Sequence, residues 1–297
     1  MKPAPFTYHR PSTLAEAAEM LAASGSGSGS GKVLAGGQSL IPLMSMRLAT
    51  PTALVDINHV SGLGEIEVGT DAVRVGALAR HAALESHEPA YDANPLLRRA
   101  LLQVAHGTIR NRGTTVGSIV HADPAGEMPA VLRLLGGSVE AVSQSRGRRR
   151  IDAADFFVGP LESALADDEI AVSAVFPRPP AGAGSWWLEI ARRRGDYALV
   201  GVGALVTLDA DHRLTDAAVC LISVGGTPVY ADVGAAARGS AYDEVDWADA
   251  LALVDAAIDP ETDIHATTDY RRHLARVLTG RALAEATADA RTRTVAA

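Results

Sequence analysis

Short apolar runs and polar connections alternate along the first part of the chain. Thr13, followed three residues later by Glu16, matches a capping box, and apolar positions then recur at helical spacing. A serine–glycine tract after this predicted helix indicates a surface loop. Two short apolar runs, at residues 32–35 and 53–57, predict strands. Residues 1 to about 57 are therefore expected to form a small unit of mixed helix and strand.

Residues 58–177 show a different pattern, with two predicted hairpins and two predicted helices. Alternating residues on either side of a turn at residues 69–71 indicate the first hairpin, and residues 139–151 indicate the second. Helical periodicity appears twice between the hairpins. The polar segment at residues 106–121 separates the helices and is predicted to be a connection. An apolar strand at residues 170–176 completes this part of the chain.

A proline- and glycine-rich stretch at residues 177–184 indicates a domain boundary. Three apolar runs beyond it predict strands, and the helical patterns come after them, an order typical of α+β folds. We expect residues 184–287 to form a smaller C-terminal domain with a three-stranded antiparallel sheet and helices. Residues 288–297 are expected to be a tail.

Composition narrows the class of protein. The net charge of −8 argues against a dedicated nucleic-acid binder, which would usually carry a basic face. One cysteine can form neither an intrachain disulfide nor an iron–sulfur cluster, which normally takes four thiolates. No apolar run approaches the roughly 20 residues of a membrane span, and the first residues lack a signal-peptide pattern. These features predict a soluble cytoplasmic protein.

The first candidate for chemistry is a glycine pair that follows a predicted strand. Paired glycines let the backbone approach a ligand closely and adopt positive φ. Successive backbone N–H groups can then surround an anion such as a pyrophosphate, and Ser39 adds a hydroxyl donor. An ordinary turn is the alternative interpretation. The residues of this first loop are Ala35, Gly36, Gly37, Gln38, Ser39 and Leu40.

The second candidate is a polar segment at residues 109–127, which lies between two helical patterns. It offers hydroxyl groups, glycines that expose the backbone, and carboxylates that could accept hydrogen bonds from sugar or ribityl hydroxyls. The alternative interpretation is a connection in which Asp123 caps the next helix. The candidate ligand-binding residues of this second loop are Thr114, Thr115, Gly117, Ser118, Asp123 and Glu127.

Several familiar motifs are missing. The first loop lacks the third glycine of a dinucleotide-binding fingerprint, and the sequence contains no Gly-Lys-Ser/Thr phosphate loop. There is no Gly-x-Ser-x-Gly nucleophile elbow, and the nine histidines show no tight metal-ligand spacing. The sequence therefore predicts neither a catalytic side chain nor a metal site.

Taken together, the two loops closely resemble the FAD loops of the medium subunits of molybdenum hydroxylases. That group includes the medium chain of aerobic carbon monoxide dehydrogenase and the FAD domain of xanthine dehydrogenase. Flanking segments at residues 6–11, 192–198 and 267–274 resemble the family in the same order and extend the likeness to nearly the whole chain.

The resemblance implies an α+β fold. Residues 1–177 would form an FAD-binding domain of the vanillyl-alcohol-oxidase-like (PCMH) type, with subdomains of about 1–57 and 58–177, and residues 184–287 the C-terminal domain. Residues 35–39 would hold the FAD pyrophosphate. The remaining implied FAD contacts are Leu40, Thr114, Thr115, Val116, Gly117, Ser118, Asp123, Glu127, Leu165 near the flavin, and Tyr197 near the isoalloxazine ring.

The second loop departs from the family pattern at two positions. Val116 stands where the family has a glycine and cannot take positive φ cheaply. Ser118 replaces an amide side chain. We therefore expect a changed local geometry, with a shift in flavin affinity or redox potential.

The resemblance also implies a division of labour between subunits. A large partner would carry the molybdopterin and a small partner the [2Fe–2S] clusters, and two such heterotrimers would pair as a dimer. The FAD of this chain would pass their electrons to an external acceptor. Two alternatives remain open, a free-standing flavin oxidoreductase and a flavin-free assembly subunit. The substrate and the acceptor are not encoded in the motifs.

Overall fold

The chain begins with a small parallel sheet. The structure, a computed structural model, describes residues 2–27 and 29–296. Within the first sheet the central strand pairs in parallel with both neighbours and is buried along its whole length. The elements of this first subdomain are β1 (Thr7–His9), α1 (Leu14–Ala23), β2 (Lys32–Leu34), α2 (Leu40–Ser45) and β3 (Ala53–Asp56), followed by a 3-10 turn at Ile57–His59.

The predicted capping box at the start of α1 is confirmed. The Thr13 hydroxyl accepts a hydrogen bond from the backbone N–H of Glu16 at 3.2 Å, and the Glu16 carboxylate accepts one from the backbone N–H of Thr13. These bonds satisfy two donors that a helix start otherwise leaves unpaired. The face predicted to be apolar is buried and covers the sheet.

A five-stranded sheet organises the second subdomain. Its order is β4-β5-β10-β6-β7, and the long strand β10 pairs antiparallel with β5 and β6. Both predicted hairpins are confirmed. The elements are β4 (Ile66–Val68), β5 (Ala72–Gly76), α3 (His81–Glu85), α4 (Glu88–Ala93), α5 (Pro95–Leu101), α6 (Gly107–Arg110), α7 (Thr115–His121), α8 (Glu127–Leu134), β6 (Ser138–Ser143), β7 (Gly147–Asp152), α9 (Ala153–Phe156), β8 (Phe157–Gly159), β9 (Glu162–Ser163) and β10 (Ile170–Pro177).

The predicted connection at residues 106–121 was wrong, because it contains the helices α6 and α7. Thr114 begins α7 by accepting a hydrogen bond from the backbone N–H of Gly117 at 3.1 Å. Val116 and Ile119, three residues apart, form its buried face. Helices of four and seven residues are too short for their periodicity to stand out against the polar residues between them.

An antiparallel sheet with helices on one side forms the C-terminal domain, as expected from the order of its patterns. The sheet has one strand more than predicted, because the four-residue β14 pairs with β13. The elements are β11 (Ala183–Ala191), β12 (Ala198–Leu208), β13 (Leu214–Ile222), β14 (Val229–Asp232), a 3-10 turn at Gly234–Ala236, α10 (Ala248–Ala257) and α11 (Thr268–Ala296).

The tail predicted from residue 288 is instead part of α11, which continues to Ala296. Ala282, Ala286 and Ala290 recur every four residues and are all fully buried, so the helix keeps one inner face across the predicted boundary. Ala297 lies outside the described residues. No described helix combines the length and the apolar character that crossing a bilayer requires.

Direct contacts join the two domains. The Arg99 guanidinium on α5 binds both carboxylate oxygens of Asp289 on α11, at 2.9 and 3.0 Å, and lies 4.2 Å from the Trp186 ring. Asp289 also accepts a hydrogen bond from the backbone N–H of Ser185 at 3.0 Å. The fully buried Cys220 of β13 belongs to the same apolar cluster as the helices of the first domain. Burial raises the pKa of its thiol to about 12, in keeping with the predicted role as a small apolar residue.

The packing of α11 on β11 generates a stability prediction. Gly184 lies so close to the helix that a Cβ there would overlap backbone atoms of Ala286 and Ala290. We expect Gly184→Ala to lower the free energy of unfolding by roughly 2–4 kcal/mol, because backbone cannot yield as a side chain can. Urea denaturation would measure the change. Gly64→Ala is the matched control, since a Cβ there meets nothing within 4 Å; equal effects of the two substitutions would contradict the prediction.

Candidate functional site

The two predicted loops lie directly against each other. Gly36 is buried, and a Cβ on it would lie 2.5 Å from the carbonyl oxygen of Arg112 and 2.8 Å from the Cα of Gly113. Gly37 has a φ of +71°, which a residue with a side chain rarely adopts. The first glycine is therefore required by the close approach and the second by the backbone conformation. This arrangement goes beyond an ordinary turn.

The first loop presents backbone donors that the protein itself does not use. Among the described residues, the N–H groups of Gly37, Gln38 and Ser39 donate to no protein acceptor. Ser39 precedes α2 without its hydroxyl capping that helix, and Gln38 donates to the carbonyl oxygen of Gly36 at 3.1 Å. All three residues are half-buried. A row of unused donors around a positive-φ glycine is chemically suited to an anionic group such as a pyrophosphate.

Two polar residues that the motifs did not indicate hold this arrangement together. Asn58 donates to the carbonyl oxygen of Ala35 at 2.8 Å. Arg80 donates to the side-chain oxygen of Asn58 at 2.7 Å and to the carbonyl oxygen of Arg112 at 2.6 Å. Arg80 thus links both loops, because its guanidinium offers several donors in one plane. No local sequence signal identifies this bridge, since its partners are distant along the chain.

The second loop is used differently from the prediction. Thr115 and Val116 are 0% and 2% exposed, and the Thr115 hydroxyl lies 3.2 Å from Nδ1 of His81. Thr114 is also buried, with its hydroxyl engaged in capping α7. In this conformation Thr115 and Val116 are not accessible at the surface, and their assignment as FAD contacts stays a prediction. Gly117 and Ser118 are half-buried and remain accessible.

Val116 has an ordinary helical backbone, as expected of a residue that cannot take positive φ cheaply. Val116 lies in the right-handed first turn of α7 and is not among the described residues with positive φ. Its side chain is buried in the main apolar cluster. The left-handed residue is instead Ala122, at φ +52°, where α7 ends. The valine therefore stabilises the helix that carries Gly117 and Ser118.

Asp123 and Glu127 follow α7 and lie at the interface between the first domain and the C-terminal domain. One carboxylate oxygen of Asp123 accepts a hydrogen bond from the backbone N–H of Ala125 at 2.8 Å, which forms the turn before α8. Its other oxygen makes no hydrogen bond with the described residues. Asp123 thus stabilises a turn and does not cap α8, contrary to the alternative interpretation, and it still offers an acceptor. The residue before α8, in the N-cap position, is Gly126.

Desolvation, together with the nearby carboxylates of Glu189 and Asp123, raises the pKa of the Glu127 carboxyl to about 8. Glu189 on β11 also has a raised pKa because it is buried, although the Trp187 indole N–H donates to it at 3.0 Å. Glu127 is therefore mainly protonated at neutral pH and can donate a hydrogen bond. Glu189 was missed by the sequence interpretation because it lies within an apolar strand pattern.

Tyr197 reaches this acidic group from the C-terminal domain. Desolvation raises the pKa of its hydroxyl, and the charges of Asp123 and Glu127 raise it further. Tyr197 is nevertheless 70% exposed, and its side chain lies at the surface beside the two carboxyl groups. The structure thus brings together Tyr197, Asp123 and Glu127, three predicted site residues from two domains.

Leu165 lies in the segment that leads into β10. It lines a groove of about 590 Å³ between the end of α1 and the segment that leads into β10. The groove is lined by Ala22, Gly25, Ser26, Leu165, Ala166, Asp167 and Asp168. Among the described residues, no cluster of histidine, cysteine and acidic side chains is arranged to hold a metal ion.

Two protein families match the chain. Residues 4–179 match the family described as the FAD binding domain in molybdopterin dehydrogenase. Residues 187–286 match the C-terminal domain of the carbon monoxide dehydrogenase flavoprotein.

Full-length relatives agree with these matches. The nicotine 6-hydroxylase medium subunit of Paenarthrobacter nicotinovorans is 38% identical over 96% of this chain and 99% of its own length. The carbon monoxide dehydrogenase medium chain of Afipia carboxidovorans is 34% identical over 98% of this chain and 100% of its own length.

Solved structures show the same fold. A chain of cyanide-inactivated Cu,Mo-CO dehydrogenase superposes with a TM-score of 0.91 at 32% identity, covering 97% of this chain and 100% of that one. A chain of quinoline 2-oxidoreductase from Pseudomonas putida 86 gives a TM-score of 0.89 at 33% identity, covering 98% and 99%. The chain therefore belongs to the FAD-binding subunits of molybdenum hydroxylases, which are components of oxidoreductases. The family resemblance and the α+β fold class predicted from the sequence are confirmed.

The raised pKa of Glu127 predicts that the stability of the folded chain depends on pH. Its pKa in the folded state lies above the ordinary value of 4.5, so the folded state loses stability as the pH rises towards about 8. Glu127→Gln should therefore stabilise the apoprotein above pH 8, by at most about 5 kcal/mol, and change little at about pH 5. Urea unfolding across this pH range would measure the difference.

The matched control is Glu19→Gln, which makes the same chemical change on the exposed face of α1. It should leave the pH dependence of the free energy of unfolding as in the parent. A stability difference between Glu127→Gln and the parent that stays constant from acidic to alkaline pH would contradict the interpretation.

Proposed function

We propose that FAD lies along the first loop and the exposed end of α7 and reaches the acidic group beside Tyr197. The observation that supports this placement is the set of unused N–H donors at Gly37, Gln38 and Ser39. The close packing of Gly36 on the second loop holds these donors beside that loop. These donors would hold the pyrophosphate, with Ala35 and Leu40 bounding the loop. Gly117 and Ser118 would line the other side of the dinucleotide.

The remaining site residues would orient the flavin end. The free oxygen of Asp123 would accept a hydrogen bond from a sugar or ribityl hydroxyl, and Glu127 would hold a proton close to the cofactor. Tyr197 would shelter the ring from water, and Leu165 would pack near the flavin. Bound FAD supplies the redox chemistry, while the chain supplies binding, orientation and electrostatic tuning. No side chain of this chain acts as a nucleophile in this proposal.

In the proposed complex this subunit passes electrons from a [2Fe–2S] partner subunit to an external acceptor. Substrate oxidation would take place at the molybdopterin of a large partner subunit. Relatives named as medium chains or subunits support this division, as does the single buried Cys220, which cannot ligate a cluster. We propose a dimer of heterotrimers in the cytoplasm.

The substrate is proposed to be chosen by the large partner. Relatives with similar identity to this chain are named for carbon monoxide, nicotine and caffeine. The same kind of flavin subunit thus serves complexes that are named for very different molecules. Its own surface has no need to recognise any of them.

Gly36→Ala tests the placement of the cofactor. The new Cβ would push the first loop away from Arg112 and Gly113, so we expect FAD affinity to fall at least about tenfold. Fluorescence titration of the purified full chain with FAD would measure the dissociation constant. Gly64→Ala, in open space, should bind FAD as the parent does. Equal binding by both variants would show that the cofactor does not use this loop.

Purification of the parent chain separates the alternative functions. We expect FAD to restore a flavin absorption spectrum, and co-expression with its partners to yield a complex that contains molybdopterin and [2Fe–2S] clusters. A colourless chain that FAD cannot reconstitute would favour the flavin-free assembly subunit. Substrate oxidation by the isolated flavin-loaded chain would favour the free-standing oxidoreductase.

A further inference from the structure

Ser223 occupies an unusual position at the end of β13. Its φ is +63°, in the left-handed region that side chains rarely adopt. A glycine would take this conformation without strain, whereas the Cβ of a serine makes it unfavourable. The hydrogen bonds of Ser223 therefore have to maintain the conformation, and they identify its role.

Those hydrogen bonds connect the two halves of the proposed flavin end. The backbone N–H of Ser223 donates to the carbonyl oxygen of Pro124 at 2.9 Å. Its hydroxyl donates to the carbonyl oxygen of Ala198 at 2.7 Å. Pro124 directly follows Asp123, and Ala198 directly follows Tyr197. One residue thus joins the turn that carries the carboxylate to the first residue of β12, which directly follows Tyr197.

Arg271 on α11 holds Ser223 in place through a hydrogen bond to its carbonyl oxygen. Arg271 is only 6% exposed, and it donates to the carbonyl oxygens of Ser223 at 3.2 Å and of Leu199 at 2.6 Å. Its other terminal nitrogen pairs with Asp263 at 2.7 Å. Because a guanidinium is planar and carries several donors, these contacts fix both backbone segments at once.

We propose that Ser223 is a positioning residue for the FAD site, setting the separation between Asp123 and Tyr197. The proposal rests on the proposed function, because those two residues are taken to face the flavin. Ser223 itself touches no cofactor in it. Its hydroxyl holds the Tyr197 segment, its N–H holds the Asp123 turn, and Arg271 holds Ser223. A small change at Ser223 therefore alters the flavin surroundings from a distance.

The test compares two substitutions in the full chain. Ser223→Ala and Ser223→Gly both remove the hydroxyl and keep the N–H, but only glycine also relieves the positive φ. We expect both variants to bind FAD about two- to tenfold more weakly, the effect of one lost hydrogen bond, and to change the visible circular dichroism of bound FAD. Ser223→Gly should be the more stable of the two.

Ser86→Ala provides the matched control. The Ser86 hydroxyl also donates to a backbone carbonyl, that of Ala82 at 2.9 Å, but it does so at the exposed end of α3. This variant should keep the parent FAD affinity and circular dichroism. Thermal unfolding of each apoprotein would separate a general loss of stability from a change at the flavin.

The possible outcomes distinguish the two proposals. A parent chain that binds no FAD would overturn the proposed function, and this inference with it. If the parent binds FAD, parent-like affinity and circular dichroism in both Ser223 variants would overturn the positioning role alone. Recovery of the parent values by Ser223→Gly but not by Ser223→Ala would assign the effect to backbone strain and would also overturn it.

Discussion

The backbone contact between Gly36 and the Arg112–Gly113 peptide is the constraint on which the proposed site depends. It seats a loop of the first subdomain on the residues that precede α7 in the second. The distance leaves no room for a Cβ, so this close packing of the two loops requires glycine at position 36. Arg80 and Asn58 hold the same junction through hydrogen bonds. The unused N–H groups of the first loop are therefore arranged before any ligand arrives, which lowers the cost of binding.

A second junction, between the two domains, completes the site. Glu189 and Tyr197 come from one domain and Asp123 and Glu127 from the other, so neither domain alone contains the complete group. Burial keeps Glu127 mainly protonated, and its neighbours Glu189 and Asp123 favour the same state. A neutral carboxyl at this place avoids the repulsion that three negative charges would cause. The electrostatics near the proposed flavin thus depend on how closely the domains meet.

Much of this structure follows from local patterns in the sequence, and the remainder has a physical reason. Thr13 and Glu16 predicted the start of α1, and the Gly36-Gly37 pair predicted a close backbone approach with positive φ, because such signals act between neighbouring residues. The strand β14 is only four residues long and the helix α7 only seven, which leaves too little periodicity to recognise.

The site residues that the sequence did not indicate share a different property. Arg80, Glu189 and Ser223 act through partners that are far away along the chain, and their roles exist only once the fold has brought those partners together.

The ion pair between Arg99 and Asp289 has a consequence for how the protein is made. Its two residues are separated by 190 positions, so the ribosome completes the first domain long before the partner of Arg99 exists. During that interval the helices that will cover Trp187 and Cys220 present an apolar face to the solvent. The nascent FAD-binding domain is thus vulnerable to aggregation until the strands that carry Trp187 and Cys220 emerge and cover this face. The C-terminal domain therefore buries the apolar face of the first domain only late in synthesis.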